Sequence, residues 1–443
     1  EDGGVVVMHD PPQEPRILAV FDPHYSSVPT TDDMITAAES LSADRFAATQ
    51  AHGPRRFERL PDRCLGDVAL LPGMVNCHTH LEFTDCREPL GEAGSSFAKW
   101  LKAVIAHRAR AVAAVGDDVA VAKSATCEQG WLEMLESGTV AAGEILSRPI
   151  PVRRDEDSQR QAAPEFSGTI FHEVLGLDLT RAQASWEWAL GCLAEPSTER
   201  VRFGLSPHAP YSTSTWLYRQ CAEHSRRHGL PLATHLAESR EELQLLTDRS
   251  GPLVDFLADM GVWRPEQIEA RSIREVLALL SDVDRLLLVH GNYLGRDDWR
   301  WLRSKNPKAT VVYCPQTHAY FQHERHPWVE MMADGVQIAL GTDSRASSSS
   351  LSLWDDLRVV HERYPEQDPA LLWRMATIHG ARALGLEHGL GSIRTGKLAR
   401  FCVADLGTAV PEFSWEALLS SETKISGRLG DWPGRFGRLV PGS

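Results

Sequence analysis

Leu71-Pro-Gly-Met-Val-Asn-Cys-His-Thr-His-Leu-Glu82 is an apolar run that ends in two histidines one residue apart. Along an extended strand, residues i and i+2 share a face, so His78 and His80 can present both imidazoles to one point past the strand end. That arrangement can chelate a metal, but His-x-His alone also describes two partly buried histidines satisfied by local hydrogen bonds. The distinction turns on whether later strands end in further ligands.

From about residue 66 onward, short β-prone runs alternate with longer helix-compatible segments, the pattern of βα units around a parallel sheet. Eight such runs are read: Val68 to His80, Gly138 to Ile145, Gly168 to Leu175, Val201 to His208, Leu230 to His235, Arg285 to His290, Ala309 to Cys314 and Val336 to Gly341. Apolar residues at helical spacing predict helices over Ser96 to Ala114, Thr215 to His228 and Glu241 to Met260. Residues 147–166 and Ser347 to Ser350 read as loops, the second bordering the end of the eighth run. Polar residues gathered past the carboxyl ends of eight strands describe a (β/α)8 TIM barrel, an α/β fold whose active site lies at that face. We assign the barrel to residues 66–384. The flanks, 1–65 and 385–443, offer only half-sized β segments, so one small composite β-sandwich domain is expected from both chain ends.

The 443 residues suffice for such a barrel and its accessory unit. A hydrophobic fraction of 42% and a charged fraction of 24% fit a soluble globular protein, and no apolar run approaches the roughly 20 residues that span a bilayer. A net charge of −14 argues against a nucleic-acid partner, since phosphate binding needs a basic face. The expected partner is therefore a small-molecule substrate, with no nucleic acid and no membrane; a homo-oligomer is compatible with the composition. Eight cysteines without a Cys-x-x-Cys pair suggest a reduced, cytoplasmic compartment. The chain opens Glu-Asp-Gly-Gly-Val with neither methionine nor a leader pattern, and its natural start is expected to lie upstream.

Further ligands do stand at later strand ends. The fifth run ends Ala233-Thr-His235-Leu-Ala-Glu238, the sixth Leu288-Val-His290-Gly and the eighth Ala339-Leu-Gly-Thr-Asp343-Ser. A barrel brings these ends around one axis, so His78, His80, His235 and Asp343 make a shell of three nitrogens and one oxygen for one divalent metal ion with room for water. Zn2+ is the expected ion and Fe2+ suits the same donors. Asp343 can also accept a proton or hydrogen bond from that water, and His290 can orient it. Glu238 equally fits a solvated carboxylate at a helix start.

In order and spacing, Pro72-Gly73 before His78-x-His80, Ser206-Pro-His-Ala-Pro-Tyr211, His235-x-x-Glu238, His290-Gly291, Gly341-Thr-Asp343-Ser344 and Cys314-Pro315 resemble the amidohydrolase superfamily. The branch they look like holds chlorotriazine hydrolases, guanine deaminase and the deaminases of S-adenosylhomocysteine, methylthioadenosine and aminofutalosine. The resemblance implies hydrolysis by a metal-activated water, with Glu238 shuttling the proton to a ring nitrogen and on to the leaving group. Binuclear members carry a bridging lysine at the end of the fourth strand; here that place holds His208, which implies a single metal and frees His208 for substrate contact or a structural role. Glu82 and Trp100 fall in the family's substrate-contacting loop, although Phe97 and Trp100 at helical spacing suit a core equally well. Glu144, Arg148 and Glu173 lie at or past the second and third runs, where a ribose or carboxylate could be read, while surface ion pairing is the simpler account of each. Arg345 departs from the family pattern by placing a cation beside the site.

His323-Glu-Arg-His326 lacks the zinc-protease spacing and is read as a loop near the entrance. No Pro-Cys-x-x-Cys accompanies His80-Leu-Glu82, which excludes the cytidine-deaminase fold. The expected function is hydrolytic deamination of an aminated aromatic heterocycle, adenosine-derived substrates first. Hydrolysis of a carbon–halogen or amide bond at the same site is the alternative, and a catalytically dead scaffold, which would predict decayed ligands, is the third reading.

Overall fold

The computed structural model describes residues 4–8, 16–21, 68–115, 119–147, 166–198, 200–405, 414–420 and 423–427. Strands β1 (Gly4–Met8) and β2 (Arg16–Phe21) pair antiparallel as a two-stranded unit. Strand β3 (Val68–Pro72) belongs to a second small sheet, described below.

Eight parallel strands follow in sequence order around one sheet. They are β4 (Met74–Thr79), β5 (Thr139–Leu146), β6 (Gly168–Val174), β7 (Val201–Pro207), β8 (Leu232–Leu236), β9 (Leu286–His290), β10 (Thr310–Tyr313) and β11 (Gln337–Leu340). A parallel bridge between Thr79 and Asp343 links the last strand's end to the first. The His78 carbonyl completes that seam by accepting the N–H groups of Thr342 and Asp343 at 3.1 and 3.0 Å. The sheet is thus a nearly closed (β/α)8 barrel. Every residue of β4, β8, β9 and β10 is buried, as expected for strands covered on both faces, and this makes them read as unbroken apolar runs.

The first sequence run divides where none was expected. Val68–Pro72 pairs antiparallel with β12 (Phe401–Asp405), which in turn pairs with β13 (Lys424–Ser426), so this half of the run joins a small three-stranded sheet. The chain changes sheets at Gly73, whose N–H meets the Arg400 carbonyl while that of Met74 meets Gly138. A Cβ at Gly73 would lie 2.3 Å from Val140 Cγ1, so only glycine fits this crossing.

The helix expected over Glu241 to Met260 is two helices, Arg240–Asp248 and Pro252–Asp259. Arg249 takes a left-handed conformation, and Gly251 precedes a proline that cannot continue the ladder. Thr215–His228 has the bounds its sequence predicts, fixed by Ser214 at the start and left-handed Gly229 at the end. No helix among the described residues is long and apolar enough to cross a membrane, and the seven described cysteines are all free.

Candidate metal centre and active site

Four strand ends deliver the centre. His78 and Thr79 close β4, with His80 the next residue; His235 lies on β8, His290 ends β9, and Asp343 follows β11. His80 Nε2 and His235 Nε2 stand 3.3 Å apart, and Asp343 Oδ1 lies 3.5 Å from His78 Nε2 and 3.8 Å from His80 Nε2. Tetrahedral ligands about 2.0–2.1 Å from a zinc ion would lie roughly 3.3 Å apart, so these donors fit one small cation. Buried His78 has no hydrogen-bond partner on either ring nitrogen, which a ligand role would explain. His235 donates from Nδ1 to the His208 carbonyl at 3.0 Å, an orientation that aims Nε2 at the same point.

Protonation states suit ligation. Burial, then neighbouring imidazoles, pushes His80 and His235 well below the ordinary histidine range, leaving both neutral. Burial alone would raise the Asp343 carboxyl, but its contact with His78 and the surrounding histidines hold it well below its usual value. Its oxygens also accept the Ser344 N–H at 2.8 Å and the Ser347 hydroxyl at 3.2 Å, so the serine loop does border the site. Three of the non-glycine residues at positive φ are here: Ala237 (54°), His290 (70°) and Asp343 (59°). Each turns the chain sharply as it leaves its strand, at a cost of about 1–3 kcal/mol that the packed surroundings must hold.

Glu238 is buried, with Oε1 3.4 Å from His290 Nε2, and it clusters with His290 and Asp343. It is not a solvated helix-start carboxylate. Burial, then Asp343 and Glu242, raises its carboxyl well above the usual range. Glu242, unnoticed in the sequence, aims it: its carboxylate accepts the N–H groups of Ala237 and Glu238, each at 2.9 Å. The signal was present as Ser239-x-x-Glu242, a capping box whose serine accepts the Glu242 N–H.

His208 lies beside His235, its Nδ1 2.5 Å from the Ser212 hydroxyl and its Nε2 3.9 Å from Glu173 Oε1. Glu82 is buried among Arg108, Lys123 (2.7 Å) and Ser147 (2.6 Å); burial would raise its carboxyl, but the two cations hold it below the usual value. Trp100 is partly buried, donates to the Ala346 carbonyl at 3.0 Å and packs with Phe97 and Phe321, while Phe97 also meets Tyr211. Arg148 lies outside the described residues. Glu144 and Glu173 are buried rather than paired at the surface among the described residues: Glu144 accepts the Leu81 N–H, and burial pushes Glu173 to about 7. Arg345 binds Glu133 at 2.8 Å and the Cys86 carbonyl at 3.1 Å.

His326 is fully buried, and its Nε2–H donates to the His290 carbonyl at 2.8 Å. The irregular backbone around His290 created that need, which the sequence pattern did not reveal.

The model of the amidohydrolase family matches residues 69–428. The 5-methylthioadenosine/S-adenosylhomocysteine deaminase of Pyrococcus abyssi is 31% identical over 220 residues, which span 48% of this chain and 46% of that protein. The aminodeoxyfutalosine deaminase of Deinococcus radiodurans is 28% identical over 346 residues, 75% of this chain and 77% of that one. Among solved structures, Helicobacter pylori aminofutalosine deaminase in complex with methylthio-coformycin superposes with a TM-score of 0.68 at 21% identity, covering 95% of this chain and 90% of its own. Atrazine chlorohydrolase of Arthrobacter aurescens complexed with zinc gives 0.65 at 17%, covering 97% and 88%. These two likenesses speak to the fold.

Proposed function

This chain belongs to the amidohydrolase family, and from that premise we propose that it is a hydrolytic deaminase of an adenosine-derived or similar aminated heterocycle. The observation that carries the reading is Glu238: a buried carboxyl, raised well above its usual range by burial and Asp343, 3.4 Å from His290 and clustered with Asp343. His78, His80, His235 and Asp343 would hold one divalent cation, Zn2+ by its preference for nitrogen and oxygen donors in an open shell, and that ion supplies a water of lowered pKa.

In this scheme neutral Glu238 gives its proton to a ring nitrogen and makes the adjacent carbon electrophilic. Asp343 accepts a proton from the attacking water, and neutral His290 hydrogen-bonds the oxygen. Glu238, now ionised, passes the proton held by Asp343 to the leaving amine and then takes back the ring-nitrogen proton, so that R–NH2 and H2O become R–OH and NH3 with both carboxyls restored. Phe97, Trp100, Tyr211 and Phe321 offer aromatic surface for a flat ring. His208, Glu82, Trp100 and Arg148 are assigned to substrate contact.

The same proposal places the enzyme in the cytoplasm, leaves room for a homo-oligomer, and divides the chain into a barrel at 66–384, which lends Val68–Pro72 to the small sheet, and a composite β unit from 1–65 and 385–443. The test is ammonia release from methylthioadenosine, S-adenosylhomocysteine, other aminated purines, pterins, pyrimidines and triazines. Ammonia from a purine riboside is expected. Its absence from every compound, with chloride or carboxylate released from others, would overturn the reading in favour of the alternative bond.

A further inference from the structure

A second group of mixed donors stands outside the catalytic centre. Asp85, Cys86 and His107 bring a carboxylate, a sulfur and an imidazole nitrogen to within 4.8 Å of one another. His107 Nε2 lies 3.1 and 3.2 Å from the two Asp85 oxygens and 3.5 Å from Cys86 Sγ. One ring nitrogen carries a single hydrogen or a single lone pair, yet this one has two groups, a carboxylate and a sulfur, within that reach. Around a tetrahedral zinc ion, with Zn–N about 2.0–2.1 Å and Zn–S about 2.3 Å, nitrogen and oxygen would be roughly 3.3 Å apart and nitrogen and sulfur roughly 3.6 Å. The observed separations fall close to both.

The surroundings leave room for an ion and for a fourth ligand. The three residues line an open surface depression together with Glu88, Leu90, Arg87 and Arg110. His107 and Asp85 keep part of their side chains in solvent, while Cys86 is buried beneath them. The two arginines oppose a cation, and Asp85, Glu88 and a metal-bound thiolate offset them. Sulfur among the donors selects a borderline or soft ion such as Zn2+ over Mg2+ or Ca2+.

We propose that Asp85, Cys86 and His107 form a second Zn2+ site, distinct from the catalytic centre and independent of the reaction assigned to it. Its position gives it a lever on the active site. Cys86 closes the turn that begins at His80, its N–H bonded to the Phe83 carbonyl, and His107 lies on helix Phe97–Val115. On that helix the next residue, Arg108, covers the Phe83 ring at 4.8 Å and pairs with Glu82. An ion bound here clasps the turn carrying Glu82 to the helix carrying its partner.

Titration of the full chain with Co2+ tests the proposal. The catalytic donors are nitrogen and oxygen only, so cobalt–thiolate charge-transfer absorption in the near ultraviolet reports the second site alone. Two Co2+ or Zn2+ per chain and that absorption are expected in the wild type. Cys86→Ser should lose the absorption and retain one ion, and Asp85→Asn should weaken the second ion at least tenfold while keeping the fold. One ion per chain with no thiolate absorption, or absorption that persists in Cys86→Ser, would overturn it. If ammonia release fails while the thiolate absorption is present, the deaminase reading falls and this site stands.

Discussion

Glu238 has three neighbours that each settle a different property. Burial and Asp343 raise its carboxyl well above the usual range, His290 meets one oxygen, and Glu242 fixes the backbone from which it projects. Replacing Glu238 with Gln keeps the shape and removes the transferable proton, so kcat should fall about 10²–10⁴-fold, the range for loss of a positioned acid–base group. Metal content measured on the purified variant should stay unchanged, because Glu238 is not among the three imidazoles and the aspartate that converge. Loss of metal together with activity would instead make Glu238 a ligand. His326 acts one step further back: its N–H holds the His290 carbonyl in a strained turn. Removing a buried hydrogen bond costs about 1–3 kcal/mol. His326→Ala should therefore lower kcat about 5- to 150-fold with little change in KM, and equal loss in both would mark a general packing defect.

The strands β5 to β11 were legible because they are largely buried and end in polar chemistry, and their observed bounds fall within two residues of the sequence runs. Two elements were not. The apolar pattern runs unbroken from Val68 into Thr79 because a partly buried strand leads straight into a fully buried one, and no hydropathy signal marks the change of sheets at Gly73. The break at Ser250-Gly251-Pro252 was written in residue types that oppose helix continuation, but apolar spacing on either side masked it. Glu242 was hidden for a related reason: a capping-box glutamate ordinarily serves its own helix, whereas this one reaches back to the turn that bears Glu238. Gly73→Ala tests the sheet crossing. Its methyl group meets the Val140 side chain, and such overpacking costs about 1–3 kcal/mol. Tm in thermal denaturation should fall, and an unchanged Tm would mean the junction can open without cost.

Across the whole molecule, buried ionisable groups set how stability depends on pH, and two populations pull in opposite directions. Burial depresses His172, His323 and His326 to about 4 and His318 to about 2, so their contribution is lost as pH falls below the ordinary histidine range. Above roughly pH 6.5 that contribution is complete. Buried carboxyls behave otherwise: Glu173 and Glu242 are raised to about 7, and Asp356 from 3.8 to about 8. A folded pKa above the unfolded one means the folded chain keeps its proton longer. The stability involved is fully present below the unfolded value and is lost as pH rises through the folded one. Between pH 6.5 and 8 these carboxyls therefore give stability a downward slope, each contributing at most about 1.4 kcal/mol per pH unit. Asp356 is the one to isolate, because it hydrogen-bonds none of the ligands and ties helix Leu353–Arg363 to helix Pro315–Tyr320 through the Gln316 backbone (2.8 Å) and side chain (2.9 Å). Asp356→Asn removes its titration, and comparison with the wild type cancels the pH dependence of metal binding common to both. Denaturant unfolding at pH 6.5, 7.2 and 8 should give a flatter decline in the variant, whatever its absolute stability; parallel declines would show that Asp356 is ionised in the folded protein throughout.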